Sequence, residues 1–416
     1  MSFTNLNEGQ QLAFHKVLSG KNIYLYGSAG SGKSFLISRI VSHYKATGLK
    51  IGITATTGIS AIQIKGRTIH GFLGLGLATK SASDLYFRNR RKFPMLIKKL
   101  RELNCLIIDE ASMLSAELLD KVSDYLALVR GVRAVFGGIQ VILCGDFCQL
   151  PPVSGDYCFK SKTWDSANLE TMELVESMRQ AGDSKFRDML EELRWGKCDA
   201  ETLAILRSLK NTEFAVGIEP TVLYSKNVDV DKVNIDKLSQ LVNSGNETKT
   251  YKIQYSDNEL AKAWAESLRI DEEIMLCVGA QIMITVNLNV EGGVVNGSRG
   301  IITELLDNMV RVRLVNGSIE DIEYYKLDDE MDDSLWFSYI PLKLAYAISI
   351  HKSQSLTLDA VVMDLGLSIF CNGQAYTALS RARDLKSVRV LAISGKSFKV
   401  SPDVLKFYGK TEIAEL

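Results

Sequence analysis

The sequence predicts an α/β fold in two units, each built on a mostly parallel sheet, with a small antiparallel β module set into the second. Three observations predict it. Short apolar runs alternate with helical periodicity through the first 150 residues, the pattern returns near residue 220, and strand-like runs at 280–327 are punctuated by turn dipeptides. Alternating strand and helix points to a parallel sheet, because parallel neighbours need a long crossover that a helix supplies.

In chain order, residues 22–26 (NIYLY), 50–55 (KIGITA), 106–109 (LIID) and 139–145 (IQVILCG) read as buried strands. Residues 33–44 form a helix in which Leu36, Ile37, Ile40, Val41 and Tyr44 share one face. Residues 183–196 bring Phe186, Met189, Leu190 and Leu193 together in the same way, so that helix reads as structural. A second set of buried strands falls at 221–224, 344–350, 360–364 and 388–393. Short strands at 282–286, 300–305, 310–315 and 319–324 are separated by turns at Asn296-Gly297, Asp307-Asn308 and Asn316-Gly317, as in a small barrel or meander. The expected division is 1–170 with a basic insertion at about 71–101, then 171–416, interrupted by the β module at 280–340.

Composition excludes several classes. The chain is 46% hydrophobic and 24% charged with only 6 Pro, which rules out a disordered or collagen-like polymer. No apolar run reaches the roughly 18–20 residues of a membrane span, and the first residues, MSFTNLNEGQQ, have neither the basic start nor the apolar core of a signal peptide. A soluble intracellular protein without a membrane partner is expected. The seven cysteines are scattered, form no CxxC pair, and lie among four widely spaced histidines, so neither a disulfide framework nor a zinc site is expected. Net charge is zero, yet residues 1–101 carry 16 Lys and Arg against two acids, a local +14 that the remainder cancels. Such asymmetry suggests a polyanion partner for the N-terminal third, or pairing of these cations with acids of the later unit.

Residues 27–34 (GSAGSGKS) satisfy G-x-x-x-x-G-K-[ST], after a strand and at the start of a helix. In this context the backbone N–H groups of Gly27, Ser28, Ala29, Gly30, Ser31 and Gly32 cradle phosphate oxygens, Lys33 reaches the β/γ-phosphates, and the Ser34 hydroxyl ligates Mg²⁺. Asp109 and Glu110 end the strand at 106–109, at the sheet edge where α/β proteins bind ligands. Asp109 would hold the metal through water and Glu110 would polarise an attacking water. Gln149, in GDFCQL after the next strand, is placed to sense the γ-phosphate. ATP and Mg²⁺ are the expected cofactors.

The P-loop alone does not choose among kinases, GTPases and motors. TATTGISA (54–61), GRTIH (66–70), LIIDEASM (106–113), GDFCQLPPV (145–153), MRQ (178–180), SIHKSQSLTLD (349–359) and YTALSRA (376–382) follow in order. This string resembles the PIF (petite integration frequency) family of superfamily 1 group B DNA helicases, related to RecD helicases, from about Leu6 to Arg383. The resemblance implies two RecA-like domains and, at 280–340, an inserted Src-homology-like barrel whose VNGSRG turn is Val295 to Gly300. It implies that Gln10 contacts adenine and that Arg179 and Arg381 reach the γ-phosphate from the second domain. It also implies a single-strand groove lined by Thr57, Gly58, Thr68 and His70 on one side and His351, Lys352, Ser353 and Gln354 on the other. A core or helix-capping role for Thr57 or Thr68 is the competing reading. The basic stretch 88–101 reads either as a duplex-contacting insertion or as a solvated helix face.

Two positions depart from the family pattern: Ser355 stands where HKSQG has glycine, and Thr377 where YVALSRA has valine. The implied activity is ATP-dependent 5′ to 3′ translocation on single-stranded DNA with unwinding of tailed or forked duplex, by a monomeric motor core. The alternative is an ATP-gated single-strand binding or remodelling protein that does not unwind, and a nucleotide kinase is a distant third.

Overall fold

The computed structural model describes residues 6–175, 182–214, 218–226, 228–257, 259–289, 292–329 and 332–410. Its first sheet has six parallel strands: β1 (Ile23–Tyr26), β2 (Ile51–Ala55), β3 (Arg67–Thr68), β4 (Cys105–Asp109), β5 (Gln140–Gly145) and β6 (Glu170–Glu173), in the order β3-β2-β4-β5-β1-β6. β2 and β4 are buried along their whole length, as strands covered on both faces should be. Helix α1 (Glu8–Leu18) starts from a capping box, with Asn7 and Gln10 satisfying each other's backbone N–H. Helix α2 (Lys33–Ala46) buries the five side chains that the periodicity singled out.

The second sheet is a four-stranded parallel layer running Ala347–Ser349, Thr221–Tyr224, Val361–Leu365, Val388–Ile393. Between its first two strands in sequence lies an antiparallel region. Gln281–Ile284, Arg299–Leu305, Met309–Leu314 and Ile319–Glu323 form a meander with Leu342–Leu344 at its edge, and Tyr325–Asp329, Asp332–Tyr339 and Gln254–Tyr255 form a second, three-stranded sheet. The two share one hydrophobic core. The expected barrel is thus represented by two antiparallel sheets, and among the described residues the outer strands of the five-stranded sheet do not pair with each other.

The structure answers the question of the N-terminal charge in part. Arg67 forms a 2.5 Å ion pair with Asp329 and packs its guanidinium 4.4 Å from the Trp264 ring, and Lys99 lies 3.4 Å from both Asp329 and Asp332. Some of the excess cations therefore dock the β module onto the first sheet, while Lys80, Arg90, Arg91, Lys92 and Lys98 are exposed. The stretch 88–101 spans two helices, Ala82–Lys92 and Pro94–Glu102, with Pro94 opening the second and Ile97 and Leu100 buried beneath it.

The chain ends its described course in the first core. Helix Pro402–Phe407 puts Val404 into the first unit's apolar cluster, and Phe407 stacks 4.5 Å from Phe159. The Tyr408 hydroxyl meets that of Tyr24 at 2.8 Å and accepts from the Phe147 N–H at 3.2 Å. All seven cysteines are free, five of them buried, and no described helix is long and apolar enough to cross a membrane.

Candidate active site

The P-loop links β1 to α2. Gly30 and Gly32 take φ of 87° and 80°, a region open to glycine at little cost. At Gly32 space is also short, because a Cβ would overlap the Gln10 amide. Gln10 is buried, its Oε1 accepting from the Asn7 N–H at 3.2 Å and its Nε2 lying over Gly32, so α1 is seated on the loop. The Lys33 ammonium donates to the Gly27 and Ser28 carbonyls at 2.8 and 2.9 Å and to the Ser31 hydroxyl at 3.3 Å. Ser34 is exposed at the start of α2.

Asp109 and Glu110 stand at the carboxyl end of β4, both buried. Burial, and then the adjacent Glu110 charge, push the Asp109 carboxyl up to about 7. The Asp109 carboxylate and the Ser34 hydroxyl are hard oxygen donors of the kind magnesium takes, with the Lys33 charge nearby acting on Asp109 but not as a ligand. Glu110 itself is held at φ 55°.

The second unit closes over this edge. The Tyr376 hydroxyl accepts from the Ala29 N–H at 3.2 Å, so a P-loop amide is already engaged from across the cleft. Ser28, Ala29, Arg187, Arg194 and Tyr376 line a cavity of about 240 Å³ beside the loop. Each Glu110 oxygen accepts a bond from the second unit, Oε2 from the Gln354 amide at 2.9 Å and Oε1 from the Ser355 hydroxyl at 2.5 Å. Arg381 is buried, with its guanidinium donating to the Thr377 carbonyl and the Ser380 hydroxyl at 2.9 and 2.8 Å. Burial pulls its pKa down and the Glu110 charge opposes that pull. Arg179 lies outside the described residues.

Gln149 is buried where the two units touch. Gly373, at φ 70°, packs on the Gln149 and Cys148 carbonyls, and any Cβ there would overlap them. Gly373→Ala should therefore cost about 1–3 kcal/mol by overpacking and backbone strain. A fall in thermal midpoint of several degrees is expected, and an unchanged melt would show that the contact yields freely.

The residues assigned to the strand groove are more dispersed in character. Thr57 caps helix α3 (Gly58–Gln63) by accepting from the Ser60 N–H at 3.2 Å, and Thr68 caps Ile69–Phe72 through the Gly71 N–H at 3.2 Å. The capping alternative is thus the one these bonds display. Gly58 packs directly on the Leu268 carbonyl. His70 and His351 are half-buried, and burial lowers both imidazole pKa values, with Lys121 adding to the effect at His70. Lys352 shares a cavity with Ile59, Ile62, Asn296 and Lys343, which brings α3 and the 351–354 turn to one place. Ser353 differs: it is fully buried and its hydroxyl donates to the Ile350 carbonyl at 2.8 Å.

Sequence reasoning missed three cross-unit partners. Arg194, assigned to a packed helix (Ser184–Arg194), forks onto Asp146 at 3.0 and 3.2 Å with both side chains buried. Burial opposes its charge, but Asp146 outweighs that and holds the guanidinium pKa well above its ordinary value. Tyr376 on Ala29 and the Gln354–Ser355 pair on Glu110 are the others. The available signal was the presence of an aromatic hydroxyl, an amide and a hydroxyl inside motifs already marked.

Comparison with known proteins adds family relationships. A model described as PIF1-like helicase matches residues 5–203, and the 2B domain of DNA helicase Pif1 matches residues 270–305. The ATP-dependent DNA helicase PIF1 of Danio rerio is 37% identical over 97% of this chain and 63% of its own length. The chain thus spans a little under two thirds of that vertebrate relative. Pif1 of Bdellovibrio bacteriovorus is 31% identical, matching 98% of this chain and 92% of its own. A crystal structure of Pif1 helicase from Bacteroides in complex with ADP-AlF3 and ssDNA superposes with a TM-score of 0.69 and 29% identity, covering 98% of this chain and 97% of that one.

Proposed function

Because the chain belongs to the PIF1-like helicase family, we propose that it is an ATP-dependent DNA helicase that moves 5′ to 3′ on single-stranded DNA and unwinds tailed or forked duplex. One observation carries the reading. The P-loop edge of the first sheet is completed by polar groups of the second, with Tyr376 on Ala29 and Gln354 and Ser355 on Glu110. A nucleotide gripped there joins the two units, so its hydrolysis alters their separation, and two strand-binding surfaces moving relative to each other make a motor.

In this reading Lys33 and the P-loop N–H groups hold the phosphates, with Gln10 beside the loop toward the adenine. Glu110 takes the proton of the attacking water, Gln149 senses the γ-phosphate, and Arg381, with Arg179, stabilises charge on the transferring phosphoryl group. Ser34 and Asp109 would hold Mg²⁺, which neutralises phosphate charge when bound. Thr57, Gly58, Thr68, His70, His351 and Lys352 contact the strand through phosphate, without reading sequence. The resemblance to the family supports the polarity of movement, and the domain division at about 170 with the 280–340 module belongs to the same reading.

Steady-state ATPase with and without single-stranded DNA tests it. A large DNA-dependent rise is expected, lost in Lys33→Ala, and duplexes tailed at either end then report polarity. Hydrolysis indifferent to DNA would remove the helicase reading. DNA-stimulated hydrolysis without strand separation would favour the remodelling alternative.

A further inference from the structure

Ser355 occupies a position that its residue type disfavours. It sits at φ 67°, in the left-handed region, which non-glycine residues enter uncommonly. Its hydroxyl reaches Glu110 Oε1 at 2.5 Å, its neighbour Gln354 reaches Oε2 at 2.9 Å, and its own carbonyl accepts from Gln63 Nε2 at 3.4 Å. Gln63 ends the helix that Thr57 caps. One residue of the second unit thus touches both the hydrolytic carboxylate and the helix of the first unit's strand surface, directly after residues 351–354 on its own side.

We propose that Ser355 is a positioning residue that couples strand binding to hydrolysis: its hydroxyl, with the Gln354 amide, clasps both oxygens of Glu110 until strand contact at residues 351–352 draws the turn away. The inference rests on the helicase reading above. The reason is geometric. A carboxylate acting on water must aim a basic oxygen at it, and here a donor of the other unit takes one lone pair of each oxygen, fixing where the carboxylate points and weakening it as a base. Those donors adjoin the strand-contacting residues in sequence, so moving the turn and freeing the carboxylate are one motion. With glycine at this place only the amide would remain, and the clasp would have a single point.

The test measures ATPase of the whole chain over a titration of oligothymidylate, for wild type, Ser355→Gly, Ser355→Ala and Ser355→Asn. Glycine and alanine both lose the hydroxyl, but only glycine relieves the backbone. Asparagine tolerates the left-handed conformation and carries an N–H donor. Without DNA, Gly and Ala should raise kcat roughly tenfold, equal to about 1.4 kcal/mol. The ATP KM should stay within about twofold, and DNA stimulation should shrink by the same factor as kcat rises. Asn should track wild type. If Gly alone differs, backbone strain and not the hydroxyl is responsible, and the proposal falls. It falls equally if Gly and Ala hydrolyse no faster than wild type. A wild-type chain without DNA-stimulated hydrolysis is a distinct result: it overturns the helicase reading, and the clasp with it.

Discussion

Replacing Glu110 with glutamine is expected to lower kcat for ATP by roughly 10²–10⁴, the usual worth of a positioned general base. The shape is nearly conserved, so ATP binding should be retained and KM should change little. The amide keeps one oxygen to accept a bond but has no basic lone pair to take a proton from water. It also places an NH₂ group where one of two donors, Gln354 Nε2 or Ser355 Oγ, now approaches. Single-turnover hydrolysis with DNA present, beside equilibrium binding of a fluorescent nucleotide, separates chemistry from affinity. A loss confined to binding would move the catalytic role to another residue.

Arg194→Met is expected to cost about 3–5 kcal/mol of stability, because it leaves Asp146 buried without its counter-charge. Whole domains are stable by only about 5–15 kcal/mol, so the variant should approach the limit of folding at ambient temperature. The side chains of Arg194 and Asp146 are 1% and 0% exposed, and beyond Arg194 the Asp146 carboxylate accepts from the Cys148 N–H at 3.2 Å. Urea titration followed by far-ultraviolet circular dichroism measures the loss. Adding Asp146→Leu should recover part of it, since the cost lies in the orphaned charge more than in the missing attraction. If Arg194→Met alone melts like wild type, water reaches Asp146 and the pair is not dry.

The parts of this molecule that were legible in its sequence are those whose requirements are local. A P-loop needs glycine where φ is positive, and Gly30 and Gly32 sit there. The strand before Asp109 and Glu110 was visible as an apolar run, and α2 as a periodic face. β6, with the sequence ETME, was not visible, because an edge strand with alternately exposed residues needs no apolar run. The cross-unit bonds were also hidden. Arg194 and Asp146 are 48 residues apart, Gln354 and Glu110 are 244 apart, and Ala29 and Tyr376 are 347 apart, and no periodicity encodes such partners. Thr57 and Thr68 show the converse: the cap geometry was readable locally, whereas any strand contact depends on surfaces that two units build together.

The helix at Pro402–Phe407 has a mechanical consequence. The chain leaves the first unit after β6 and comes back to it at Pro402, so the two units are tied at two places and not one. A single tether would let the second unit pivot in any direction and slip to a new facing between cycles. Two anchorages would favour rotation about the line that joins them over free pivoting. Each opening would then retrace the path of the last closing, which is what a device advancing in equal steps needs from its frame. The stacked rings of Phe159 and Phe407, packed on Phe147, form one of those anchorages.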